Sequence, residues 1–342
     1  SCIFSYIYAM PSGNEIQVAL FQALKHKLPE NFSFVHEIAE LLEISYDSAY
    51  RRIRGDKPLT LNELVLLNQK FGLSVDTFLN VETKNVVFNC HAVEAKEFRI
   101  KQWLETILAD LKKIQQAREK EIIYAAKDPP LFHYFHYPEI GAFKMFFYQK
   151  TLLNFPEFED KKLRLDEADE EIYEVGKRML IASNSIPTIE IWNEDTFYIT
   201  LRQIEYYWIA GYFASKDDVL NLCDKLQKWL SHIQKQAELG FKFLHDQDPV
   251  GVEGSFKMYE NEVVLNDNSI LVKMPDVSFA YLTFNVLSLL VTSNPVFTGH
   301  LEQYFRGLIK QSNLISSTGA KERNRFFNKL NDTVEKFRET IV

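Results

Sequence analysis

Between Ser33 and Leu79 this chain of 342 residues alternates short apolar-periodic runs with residues that start or stop helices, and that punctuation constrains the fold more than any other stretch. Ser33 is placed to cap a helix through Leu42, Ser45 one through Arg54, and Thr60 one from Leu61 to Phe71, with a last turn from Val75 to Leu79. Upstream, Ile16, Ala19, Leu20, Ala23 and Leu24 recur at helical spacing between Asn14 and Leu28, where Pro29 ends the run. Five short helices predict a compact all-helical unit over residues 14–80.

Inside that unit, Ile38, Leu42 and Ile44 form an apolar wedge, and the small Ala39 lets two helices cross closely. At about 100° per residue, the helix after Ser45 turns Ala49 and Ile53 one way. Asp47, Ser48, Arg51 and Arg54 point the other way, with Tyr46 and Tyr50 beside them. Gly55 supplies the stop.

The run Glu37-Ile-Ala-Glu-Leu-Leu-Glu-Ile-Ser45-Tyr-Asp-Ser-Ala-Tyr-Arg-Arg-Ile-Arg-Gly55, with the helices around it, resembles the lambda-repressor-like, or xenobiotic-response-element type, helix-turn-helix family. The resemblance covers residues 14–80 and implies that the helix after Ser45 enters the major groove of double-stranded DNA. On that reading the DNA-binding residues are Ser45, Tyr46, Asp47, Ser48, Tyr50, Arg51, Arg54 and Lys57. Arg51 suits a bidentate contact to guanine, Asp47 or Ser48 a neighbouring base, and Arg54 and Lys57 phosphates. Three positions depart from the family pattern. Glu43 stands where the turn usually has glycine, Val35 where a phosphate-contacting glutamine often sits, and Arg52 where an apolar residue is commoner.

Residues 81–93 read as an extended linker, and 94–342 as a mostly helical domain that dimerises, senses an effector, or both. From Glu94 to Ala126 one long helix is expected, with Ile100, Leu104, Ile107, Leu111 and Ile114 spaced by four and three. That stripe suits either a coiled-coil seam or a helix packed on its own domain. Further helices are predicted at 138–153, 166–183, 194–213, 216–239, 296–311 and 320–341. Alternating runs at 256–265 and 270–274 around Asn266-Asp-Asn268 predict a β-hairpin, with a third strand at 279–284. The fold class expected is mainly α with a small α+β part: a five-helix DNA-binding domain, then a large helical domain containing a short antiparallel sheet.

A net charge of −8 means that any contact with DNA depends on a local basic surface. Residues 33–80 hold five Lys or Arg against seven Asp or Glu, but Arg51, Arg52, Arg54 and Lys57 cluster while Glu37, Glu40 and Glu43 lie on the preceding helix. Cys2, Cys90 and Cys223, odd in number and far apart, fit neither a disulfide framework nor a zinc site, which suits a cytoplasmic protein. The opening Cys2 to Met10 lacks the basic start of a signal peptide, and the apolar run Phe279 to Val291 is too short to span a bilayer. No phosphate loop, nucleophile elbow or metalloprotease motif occurs, so no enzyme activity and no cofactor are expected. His133 and His136, and the aromatic-rich stretch Phe132 to Tyr148, are read as core rather than as a metal site or ligand pocket. Lys321, Arg323 and Arg325 could hold an anionic ligand or simply decorate a helix, which is the commoner case.

The function expected is a sequence-specific DNA-binding transcriptional regulator, a homodimer with a small-molecule or protein effector and no membrane partner. The competing reading is a protein-interaction scaffold that uses the helical module without DNA.

Overall fold

The structure is a computed structural model that describes residues 12–27, 33–72, 86–93, 98–263, 265 and 267–341. The chain divides into two compact units, residues 1–87 and 88–342.

In the first unit the described helices are α1 (Gly13–Lys27), α2 (Phe34–Leu41), α3 (Tyr46–Ile53) and α4 (Leu61–Phe71). Leu20, Phe21 and Leu24 of α1 meet Ile38, Ala39, Leu42, Ala49 and Leu67 in one core. Ser45 caps α3 by accepting from the Ser48 N–H at 3.3 Å, and Thr60 and Glu63 form a reciprocal capping box on α4. Ser33 occupies the cap position of α2, but its side chain makes no capping hydrogen bond. The turn at Val75 to Leu79 lies outside the described residues.

The second unit is organised by an eight-stranded mixed sheet, which corrects the short antiparallel sheet expected above. Its strands are β1 (Asn89–His91), β2 (Glu121–Ala126), β3 (Thr188–Trp192), β4 (Phe256–Glu260), β5 (Ser269–Lys273), β6 (Ser278–Thr283), β7 (Leu289–Thr292) and β8 (Asn313–Leu314). They lie in the order β1-β7-β6-β5-β2-β3-β4-β8, with β2, β3 and β4 parallel and the other pairs antiparallel. The helices are α5 (Ile100–Gln116), α6 (Pro138–Phe147), α7 (Glu170–Asn184), α8 (Glu194–Ile209), α9 (Lys216–Leu239), α10 (Pro295–Lys310) and α11 (Ala320–Ile341).

Alternation along β2 shows how the layers form. Ile122, Tyr124 and Ala126 face the large core shared with α5 to α9 and α11, whereas Ile123 and Ala125 face Leu301, Phe305 and Leu308 of α10. A strand covered on both faces reads as a continuous apolar run, and so the periodicity that predicts a helix through Ala126 fails there. The helix ends at Gln116 and the chain continues as β2.

The predicted hairpin is also corrected. The strand at 256–260 and the strand at 269–273 are separated in the sheet by β2 and β3. The true hairpin joins β5 to β6 through Met274-Pro-Asp-Val277, where the Met274 N–H donates to the Val277 carbonyl at 3.1 Å. Proline sets the φ of that turn, a stronger signal than the polar cluster chosen from sequence. The apolar run from Phe279 folds as β6 and β7 around Asn285, whose Oδ1 accepts from the N–H groups of Leu287 and Ser288.

Four of the five stripe residues of α5, Ile100, Leu104, Leu111 and Ile114, are buried in the unit's own core and Ile107 is half-buried against it, which favours the helix packed on its own domain over a coiled-coil seam. The aromatics Tyr134, Phe135, Tyr137, Phe143 and Phe147 are buried in the same core.

Candidate nucleic-acid interface

Capping and a small inward residue set the orientation of α3. Ala49 is fully buried against the first unit's core, which leaves Tyr46, Asp47, Tyr50 and Arg51 exposed. Tyr46 is 54% exposed and Tyr50 52%, a large aromatic surface to leave in water on one short helix. Ser45, Arg54 and Lys57 are exposed as well, and Ser48 is half-buried beneath its cap. All eight residues predicted from sequence thus fall between the start of α3 and the loop after it.

Their charges are not equivalent. Arg54 pairs with Asp56 at 3.1 Å, both exposed, whereas Arg51 and Lys57 have no ion-pair partner among the described residues. The free positive charge beside α3 is therefore Arg51 and Lys57, with Arg54 partly answered.

Arg52, one residue from Arg51, points inward and is only 5% exposed. Its guanidinium meets Glu63 at 2.6 Å and donates to the Ser48 carbonyl at 3.3 Å. Burial pushes the Glu63 carboxyl up, but hydrogen bonds from Arg52 and from the Thr60 N–H outweigh it and hold its pKa below the ordinary value. The departure from the family pattern at Arg52 thus has a structural role: it ties α3 to the first turn of α4.

Gln17 is a residue that sequence reasoning missed. Its Nε2 donates to the carbonyls of Arg52 at 2.6 Å and Lys57 at 2.8 Å, and its Oε1 accepts from the Leu59 N–H at 2.9 Å. One buried amide from α1 therefore fixes the whole loop that carries Arg54 and Lys57. No local pattern marks it, because its three partners lie 35 to 42 residues away.

Gly55 closes α3 with φ +79°, and a Cβ there would sit 3.2 Å from the Val18 side chain and 3.3 Å from the Asn14 carbonyl. Left-handed backbone and close approach to α1 both call for glycine. Glu43 makes the turn between α2 and α3 at φ +53°, as its place in the glycine position of the motif implies.

The other candidates in the sequence are structural or lie in the second unit. Arg323 is buried and donates to the Ile315 and Ser317 carbonyls, and Arg325 pairs with Glu260 at 3.0 Å. His133 Nε2 lies 2.9 Å from Glu190, and His136 stacks on His133 and meets His232 and His245 edge-on. Among the described residues no group of His, Cys, Asp and Glu is arranged to hold a metal ion.

No curated protein and no solved structure matches the chain. Residues 24–113 match the BetR domain, a family of helix-turn-helix-type DNA-binding domains. The matched region contains all of α2, α3 and α4 and continues through most of α5, so the exposed face of α3 lies within a segment similar to a DNA-binding domain.

Proposed function

We propose that this chain is a transcriptional regulator that binds specific DNA sequences through α3, in the manner of lambda-repressor-like proteins. The observation that carries this reading is the division of α3, with Ala49 and Arg52 locked inward and Tyr46, Asp47, Tyr50 and Arg51 left outward, inside the segment similar to the BetR domain.

In this reading α3 lies in the major groove, and Arg51 donates to the O6 and N7 of a guanine. Asp47 and Ser48 meet the adjacent base edges. Lys57 and Arg54 meet phosphates, and the Gln17 clamp holds them in register. An eight-residue helix spans few base pairs, so two copies of the chain bind two half-sites about one helical turn apart. With the α5 stripe used internally, the dimer contact comes from another surface of residues 88–342. That larger unit senses an effector rather than catalysing a reaction, and the protein works in the cytoplasm.

A second reading has support of its own. Tyr46, Tyr50, Leu61 and Val65 leave exposed apolar area on the first unit, which suits docking of a protein. Selection of bound fragments from genomic DNA by the purified full chain separates the two. Enrichment of a palindromic sequence with half-sites about 10 base pairs apart is expected for the regulator. Enrichment that is absent, or indifferent to sequence, favours the docking module.

A further inference from the structure

Within the second unit, α5 stands off the sheet far enough to leave a cavity of about 180 Å³. Trp103, Ile107, Leu111 and Ile114 wall one side, and Ile270 and Val272 of β5 wall the other. Its lining also includes Tyr124 of β2 and Tyr148, which follows α6. Both side chains are more than nine-tenths buried, at 8% and 3% exposure, yet neither hydroxyl has a hydrogen-bond partner among the described residues. Both hydroxyls border the open space of the cavity and are free to donate to whatever occupies it.

Charge narrows its class. Asp110 and Asp128 are the charged residues in the lining, so a carboxylate or phosphate is repelled. Neither acid calls for a ligand cation: Lys144 meets Asp128 at 3.2 Å and Lys113 meets Asp110 at 3.0 Å. Burial, aided by the nearby Asp128 charge, raises both phenols well above their ordinary range, so they remain protonated donors. Size narrows it further, since an engineered apolar cavity of about 150 Å³ accepts benzene.

We propose that this cavity binds a small neutral molecule, a single ring bearing one carbonyl or hydroxyl oxygen that accepts from the hydroxyls of Tyr124 and Tyr148. The apolar ring lies between Ile107 and Ile270. The α5 wall from Trp103 to Asp110 falls inside residues 24–113, so a ligand here touches the same matched segment that carries α3. As an effector site it rests on the regulator reading; as a binding site it does not.

Calorimetric titration of the full chain, without DNA, tests the site with acetophenone, toluene, benzoate and benzylamine. Saturable binding of acetophenone, with toluene about tenfold weaker, is expected from one to two hydrogen bonds. Tyr124→Phe with Tyr148→Phe, which removes only the two unpartnered hydroxyls, brings acetophenone down to the toluene level and leaves toluene unchanged. Ile270→Trp, which fills the cavity, abolishes both. Three results overturn the proposal: no saturable acetophenone binding, equal acetophenone affinity in the double variant, or tighter binding of benzoate or benzylamine. Because no DNA is present, a failure here leaves DNA binding by α3 standing, and a failure of DNA binding leaves the cavity standing.

Discussion

Among the described residues the small unit keeps most charges at its surface and seals one ion pair inside, Arg52 with Glu63, whereas the large unit takes Lys144, Lys242 and Glu190 into its interior. The difference follows from size. The described helices of the small unit enclose a core too shallow to hide many ionic groups, so Arg51 on α3 and Arg54 just after it stay in water and remain available. An eight-stranded sheet covered on both faces can bury charges, provided each finds partners. Substitutions on α3 should therefore change binding and spare stability, and substitutions of the buried ions should do the reverse.

The largest expected effect comes from Lys144, which bonds Asp128 at 3.2 Å and Gln203 at 3.0 Å. Lys144→Ala strands a partly buried carboxylate and should cost the large unit about 3–5 kcal/mol. All four tryptophans lie beyond residue 100, so urea unfolding followed by tryptophan fluorescence reads this unit alone. An unchanged midpoint would remove the contrast between the units.

Acid should come next. Burial pulls the imidazole of His232 down to about 4, against which the hydrogen bond to the Phe243 carbonyl works in the other direction. Burial likewise lowers His136, which sits beside His232, His133, His245 and Lys242. The unfolded chain takes up protons on these imidazoles below an ordinary histidine pKa of about 6.5, while the folded chain refuses them. Stability of the large unit should thus fall as pH drops from about 6.5 toward 4, by on the order of 3 kcal/mol for His232 alone. His232→Gln should flatten that slope. A slope that survives the substitution intact would assign the acid sensitivity elsewhere.

Smaller still, Gly55→Ala should destabilise the small unit by about 1–2 kcal/mol, because it forces a left-handed Cβ against Val18. Far-ultraviolet circular dichroism should register the loss while tryptophan fluorescence does not. At the low end, Arg54→Ala should weaken DNA binding by less than about 1 kcal/mol, since Asp56 already answers its charge. Electrophoretic mobility shift would expose a larger effect and with it a direct base contact.

The same contrast decides what sequence makes legible. Ser45, Thr60 and Gly55 act on neighbours within a few residues, so the caps and the stop of α3 and α4 could be read directly, and the outward set from Tyr46 to Lys57 followed from helical geometry. The sheet could not be read this way. β2 pairs with strands that begin at residues 188 and 269, and its unbroken apolar run carries no period that distinguishes it from a buried helix. Arg52 departs from the apolar pattern because its partner, Glu63, lies across the α3–α4 turn. Gln17 and the cavity behind Tyr124 and Tyr148 depend on contacts between distant segments, which no local spacing encodes.

Salt-titrated binding of a selected DNA site by the full chain and by its Arg51→Glu, Arg54→Glu variant tests the role of α3 most directly. Tight binding whose logarithm falls linearly with the logarithm of salt concentration, and its loss in a variant that unfolds at the wild-type urea midpoint, is the result expected. Equal affinity and equal salt slope for both proteins would contradict DNA recognition by this helix.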